Sequence, residues 1–375
     1  MLEGHEDRRS FLRKVGIGTA VAWTAPVVLS SAAQAQGSPA PLWMAVGGDG
    51  TGRNFTSIDD GATWVAGGPA VPGGGEMHAV AYSPLGDRWI SVGRDLVSGA
   101  TAIFTSDDDG ASWSTFNPTP TGRLLGIATD GAGTWVAVGQ TVTTYPGNHL
   151  IVRSTDNGNS WVVDAAVPVL NQLHGIATDR NGRWVAVGQN NAVRGVVLVS
   201  TDNGATWDPP VVLDNTDDAL VIGIATDGGG RWIAGGSFTN HSPEIAALWE
   251  ATGNNLSNPS DWTPNTSIGN GFVYGVASDR AGTFVAVGYH SSPTPVPFSL
   301  TIGAGIAVGS FPPAAVYQLH EVATDRSGTW ITVGFDGPGG PMRTYTSFDD
   351  GLNWTITSSP SPDGVLLGVA PKVLE

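Results

Sequence analysis

Self-similarity constrains this chain more than any single residue does. The element Trp-Val-Ala-Val-Gly, or a close variant, begins at Trp43, Trp89, Trp135, Trp184, Trp232, Phe284 and Trp330, at intervals of 46, 46, 49, 48, 52 and 46 residues. A second element, Gly-Ile-Ala-Thr-Asp in its commonest form, recurs near Ala79, Gly126, Gly175, Gly223, Gly275, Glu321 and Gly368. Between copies run short stretches that alternate apolar with small or polar residues and end in Gly, Asp, Asn and Pro turns, the pattern of short strands. Each unit holds four: A (Gly-Ile-Ala-Thr-Asp), B (Trp-Val-Ala-Val-Gly), C (ending in Ser-x-Asp) and D (starting at Trp). Four strands per period in the forties predict an all-β fold, a seven-bladed β-propeller of four-stranded antiparallel blades. No helical periodicity competes after residue 36.

The ends of the repeat are complementary. The first unit enters at strand B, with Leu42-Trp43-Met44-Ala45-Val46, and lacks strand A. The chain leaves on a strand A, with Leu366-Leu367-Gly368-Val369-Ala370. The last strand is expected to complete the first blade, which closes the ring and removes a free sheet edge. The propeller is assigned residues 42–371, with a tail at 372–375. Strand A is expected nearest the axis, where its Gly and Ala permit close backbone approach.

Ahead of the repeat, Arg8-Arg9-Ser10-Phe11-Leu12 is followed by an apolar run over 15–29 and by Ala33-Gln34-Ala35. A charged start, a short apolar run and a small-x-small site are the parts of an export signal. The run is too short for a normal membrane span. The paired arginines resemble a twin-arginine leader. Residues 1–35 are therefore expected to be that leader and 36–41 a linker. The expected partner is the twin-arginine export machinery, and the destination lies outside the cytoplasm, in the periplasm or medium. No stretch of the mature chain is apolar enough to span a bilayer.

The chain has no cysteine, which excludes disulfides and thiolate zinc. Its formal charge is -16, so phosphate backbones would be repelled and nucleic acid is not an expected partner.

The turn Ser-x-Asp-x-Gly-x-(Thr/Ser/Asn)-Trp occurs at residues 57–64, 106–113, 154–161, 200–207 and 347–354, between strands C and D. The fifth and sixth units lack it; residues 249–262 and 300–311 fill those slots. This motif resembles the Asp-box, or bacterial neuraminidase repeat, of a propeller superfamily with the sialidase-like fold, over roughly residues 42–370. That group includes sialidases, other glycoside hydrolases, sortilin-type receptors and photosystem II assembly factors. The resemblance implies that the box is a structural hairpin on the face opposite the binding site. It carries little about function.

Asp59, Asp108, Asp156, Asp202 and Asp349 of the boxes repeat on successive blades and cannot converge, so they are read as structural. The other face carries the D–A and B–C loops, the variable part of a rigid scaffold. Candidate ligand-binding residues there are His78, Arg94, Arg123, His174, Arg194, Tyr274, Tyr289, His320 and Asp336. His78, Leu125, His174, Ile222, Tyr274, His320 and Leu367 share one repeated position at the start of strand A. No metal or cofactor is expected. Sialidases of this fold carry a Phe/Tyr-Arg-Ile-Pro segment, absent here, where the nearest text is Gly52-Arg53-Asn54-Phe55. Arg88, Arg180, Arg183, Arg231, Arg280 and Arg326 fall in A–B turns on the box face. No hydrolase elbow, zinc-protease or phosphate-loop motif is present. The expected function is a non-catalytic binding or scaffold module for a protein or glycan. The alternative is a glycoside hydrolase or lyase, with Glu321, in a slot usually held by Gly, as the candidate catalytic carboxylate.

Overall fold

The computed structural model describes residues 41–373 except 49–51, 69–73, 118–120, 142–147, 164–169, 215, 254, 292–295, 313–317, 338–339, 358–359 and 362–363. The expected leader over 1–35, all but the last residue of the expected linker, and the end of the tail lie outside the described residues.

Seven four-stranded antiparallel sheets form the molecule. Strands A of blades two to seven are Gly75–Ser83, Gly122–Thr129, Leu170–Thr178, Ala219–Thr226, Gly271–Ser278 and Gln318–Thr324. The first blade takes its strand A from the end of the chain: Leu366–Pro371 pairs with strand B, Trp43–Gly47. Each strand A also packs on those of the two neighbouring blades, so the seven make a continuous inner wall. The only helix among the described residues is one short 3-10 turn, Pro259–Asp261.

Strand B sits between A and C, which explains its apolar content. Trp43, Trp89, Trp135, Trp184, Trp232, Phe284 and Trp330 are all fully buried in the packing between blades. In at least three blades, among the described residues, the indole also has a polar partner. Trp89, Trp135 and Trp330 donate Nε1–H to the side-chain oxygens of Asp109, Asn157 and Asp350 at 3.0, 3.0 and 3.2 Å. Each acceptor follows the turn aspartate and has φ between 55 and 58°. Asn and Asp tolerate that left-handed backbone better than other L-residues do. Blade six lacks this turn and carries Phe284, which needs no acceptor.

The five Ser-x-Asp turns close on themselves. In the fourth blade, Asp202 accepts from the Thr206 N–H at 2.8 Å, the Thr206 hydroxyl at 2.6 Å and the Ser200 hydroxyl at 2.8 Å. The Ser200 hydroxyl in turn accepts from the Gly204 N–H at 3.0 Å. All five aspartate carboxyls are held below the ordinary range. At Asp59, Asp202 and Asp349 burial is the largest single influence and pushes upward, but the turn hydrogen bonds outweigh it. At Asp108 and Asp156 the hydroxyls of Ser112 and Ser160 are the largest influence. Asp202 is lowered to about 2.

Two expectations about strand D are corrected. In the blades with a turn motif the strand starts after the Trp, as in Val65–Ala66 and Val211–Val212. In blade six strand D is Ile306–Val308, reached by a tight turn from strand C, Val296–Ile302. Phe311 therefore does not open that strand. It stacks on Trp354 of the next blade at 5.5 Å.

Lys372, just beyond the closing strand, fastens the ring from outside. Its ammonium lies 2.8 Å from both Asp87 and Asp109 of blade two, and its backbone N–H donates to Leu42 at 2.6 Å.

Candidate functional site

Strand A is interrupted in every blade at one place. The register between strands A and B skips His78, Leu125, His174, Ile222, Tyr274, His320 and Leu367. These are β-bulges, which re-aim a side chain and bend the strand. Their cause is visible in strand B. The bulge presses the carbonyl two residues before the skipped one, such as that of Glu76, Arg123 or Gln172, onto the glycine that ends Trp-Val-Ala-Val-Gly. A Cβ on Gly93, Gly139 or Gly188 would lie well inside contact distance of that oxygen. The repeated glycine of strand B is thus the counterpart of the bulge. The glycines of strand A meet the next blade, as expected: a Cβ on Gly126 would lie 2.6 Å from the His174 carbonyl.

The bulges surround the loop-face mouth of the central channel. Here a pocket of about 180 Å³ is lined by strands A of all seven blades, including His78, His174, Tyr274 and Glu321. Around it two groups of side chains gather.

The first lies on blades two to four. His78, 1% exposed, has Nε2 3.4 Å from the Glu76 carboxylate. Burial pushes the Glu76 carboxyl upward, but its His78 hydrogen bond and the charges of His78, Arg94 and Arg123 outweigh burial and hold it below its ordinary value. Arg123 is buried. Gln140, in the amide orientation its neighbours require, accepts from Arg123 at 3.2 Å and donates to Gln172 at 2.8 Å. Gln172 lies two residues from His174, which is also buried.

The second lies on blades six and seven and is aromatic. Tyr274 and Tyr289, both half-exposed, stack at 5.8 Å between ring centres. Phe272 stacks on both, at 5.7 and 5.8 Å. Tyr274 meets His320 at 5.2 Å, and His320 stacks on Phe335 at 5.6 Å. Glu321 follows His320 at the mouth, half-buried, with Oε1 accepting from the Val322 N–H at 3.2 Å.

The structure therefore brings His78, Arg94 and Arg123 together, and separately Tyr274, Tyr289 and His320. His174 stands between the groups on blade four. Arg194 is drawn aside by Asp218 at 3.2 Å. Asp336 is held by Arg343, whose Nε donates to it at 2.6 Å. Sequence reasoning missed Phe272, Gln140 and Gln172. The signal for the bulges was present in the strand B glycine; the amides had none. Among the described residues no three of His, Asp or Glu gather closely enough to hold a metal ion.

No protein-family model and no curated protein matches the sequence. The fold has many solved counterparts. A GH74 xyloglucanase from Xanthomonas campestris aligns with a TM-score of 0.56 at 15% identity, over 85% of this chain and 56% of that one. A GH74 enzyme from Niastella koreensis aligns at 0.56 and 12% identity, over 84% and 64%. YCF48 bound to D1 peptide aligns at 0.49 and 13% identity, over 82% and 98%. This chain spans less than two-thirds of the length of either GH74 protein. At these identities the likeness defines the fold, a seven-bladed propeller, and nothing finer.

Proposed function

We propose that this chain is a non-catalytic carbohydrate-binding propeller of the Asp-box group, exported by the twin-arginine route and acting outside the cytoplasm. One observation carries the reading: stacked, half-exposed tyrosines and a buried charged group flank one small pocket at the mouth of the channel. Apolar rings with a few fixed polar groups are the usual make-up of a small-molecule site. A tyrosine offers a flat apolar face with a polar tip, suited to a sugar ring. The carboxylates suit binding better than catalysis. Asp336 is engaged by Arg343, and Glu76 is held ionised among His78, Arg94 and Arg123.

The test is isothermal titration of the purified protein with oligosaccharides, with hydrolysis followed in the same samples. Binding without turnover is expected. Truncating a central aromatic anchor costs about 2 kcal/mol or more, so Tyr274→Ala should weaken binding roughly thirtyfold. Turnover abolished by Glu321→Gln would replace this reading with the second one, a glycoside hydrolase. That reading is favoured only by the position of Glu321 beside Tyr274 at the pocket, and hydrolysis ordinarily needs a paired carboxylate.

A further inference from the structure

The dipeptide Asn-Gly occurs among the described residues at 157–158, 181–182, 203–204 and 270–271. It carries chemistry of its own. Glycine has no side chain to shield its nitrogen or to restrict its backbone, so that nitrogen can close onto the side-chain carbonyl carbon of the preceding asparagine. Closure requires a glycine N–H that is not held by an acceptor, and the fold treats the copies differently.

Three copies are tied. The Gly158 N–H donates to the Ser154 hydroxyl at 2.9 Å, and the Gly204 N–H donates to the Ser200 hydroxyl at 3.0 Å. The Gly271 N–H donates to the Glu244 carbonyl at 2.8 Å. Gly204 and Gly271 are also buried. Asn157 is fixed through its side chain as well, which accepts from Trp135 Nε1 at 3.0 Å and donates to the Leu85 carbonyl at 2.6 Å.

Asn181-Gly182, in the A–B turn of blade four, is different. The Gly182 N–H has no acceptor among the described residues; the bonded group is its carbonyl, which accepts from the Asn203 N–H at 3.0 Å. Asn181 is exposed. Its side chain makes one long contact, from Nδ2 to the Asp179 carbonyl at 3.5 Å. Asn181 also lines an open cavity of about 400 Å³ with Asp179, Arg183 and Thr201, so water can enter and ammonia can leave. The sister turns put Ala132, Gly229, Ala281 and Ser327 at this place, so the turn does not need an amide there.

We propose that Asn181 is a site of self-modification, deamidating through a cyclic imide formed with Gly182. The Gly182 nitrogen gives its proton to hydroxide and attacks the Asn181 side-chain carbonyl carbon. A new carbon–nitrogen bond forms, the bond to the amide nitrogen breaks, and ammonia leaves with a proton taken from water. Water then opens the imide at either carbonyl, giving aspartate or isoaspartate. Both products add a negative charge to the turn face. Isoaspartate also lengthens the backbone of a turn in which Asp179 accepts the N–H groups of Asn181 and Arg183 at 2.7 and 3.1 Å. The site is separate from the loop-face mouth and does not rest on the carbohydrate reading.

The test is to age the purified protein in mildly alkaline buffer, folded and in parallel in denaturing urea, and to follow each Asn-Gly peptide by mass spectrometry. Similar rates at every copy are expected in urea. In the folded protein Asn181 should react roughly tenfold faster than Asn157, Asn203 or Asn270, the factor set by opening a hydrogen bond worth about 1.4 kcal/mol. Ser200→Ala removes the acceptor of the Gly204 N–H and should raise the rate at Asn203 while leaving Asn181 as it was. Asn181→Ser, the residue of blade seven, should abolish the charge change seen on anion exchange and leave the melting temperature of fresh protein unchanged. Equal rates at every copy in the folded protein, first reaction at another copy, an inert Asn181 beside a reacting urea sample, or no effect of Ser200→Ala on Asn203 would overturn the proposal.

Discussion

Asp109 stands where three features of the fold meet, and its replacement separates them. Its carboxylate accepts from the buried indole of Trp89 at 3.0 Å and from Lys372 of the closing tail at 2.8 and 3.0 Å. Its backbone has φ 55°. In Asp109→Ala the indole N–H is left buried without an acceptor, a cost of about 1–3 kcal/mol. The ion pair is half-exposed on the aspartate side and is worth about 0.5 kcal/mol after solvent screening. Alanine in the left-handed region costs about 1 kcal/mol more. The total is about 3 kcal/mol, a fall in melting temperature on the order of 5 °C for a domain of this size. Asp109→Asn keeps an acceptor oxygen and a residue suited to that backbone, so it should lose under about 1 kcal/mol. Denaturant unfolding of the three proteins measures both differences. Equal loss in the Ala and Asn variants would refute the assignment to the indole and the backbone, and would leave charge as the cause.

Two other predictions follow from the strands and turns. Gly188→Ala would drive a Cβ into the Gln172 carbonyl at the blade-four bulge; it should destabilise by about 2 kcal/mol or more and weaken any ligand contact made by His174, measured by unfolding and titration. The depressed carboxyls of the turns fix an acid limit. Their stabilisation is complete above the ordinary aspartate value of about 3.9 and is lost as the pH falls toward the folded value, about 2 at Asp202. The denaturant midpoint should hold from neutral pH to about 5 and then decline, and the gap between parent and Asp202→Ala should narrow over that decline.

The blade count, the strand order and the closing strand were all legible because they repeat. Seven copies of Trp-Val-Ala-Val-Gly and complementary chain ends leave one way to build the ring. Phe311 was misplaced because blade six had lost the turn motif that marks the C–D hairpin elsewhere. The site was legible only in part. His78, His174, Tyr274 and His320 share a column in the repeat, so they stood out as equivalents. That the column is a line of bulges is a relation between two strands, not a property of one. The pairing of Tyr274 with His320, or of His78 with Arg94 and Arg123, depends on which blades adjoin and how side chains lean. Arg180, Arg280 and Arg326 were correctly put on the turn face. The reach of Arg280 to the Thr178 carbonyl on blade four could not be read, because the side chain passes over Gly228 across a whole blade.

The most direct test of the carbohydrate reading is a crystal structure of the protein soaked with an oligosaccharide that it binds in solution. A sugar ring lying against Tyr274 and Tyr289, with a polar edge turned toward Arg94 and Arg123, is the outcome predicted here. A ligand seated on the Ser-x-Asp face or the outer edge of a blade, with the mouth unfilled, would contradict it.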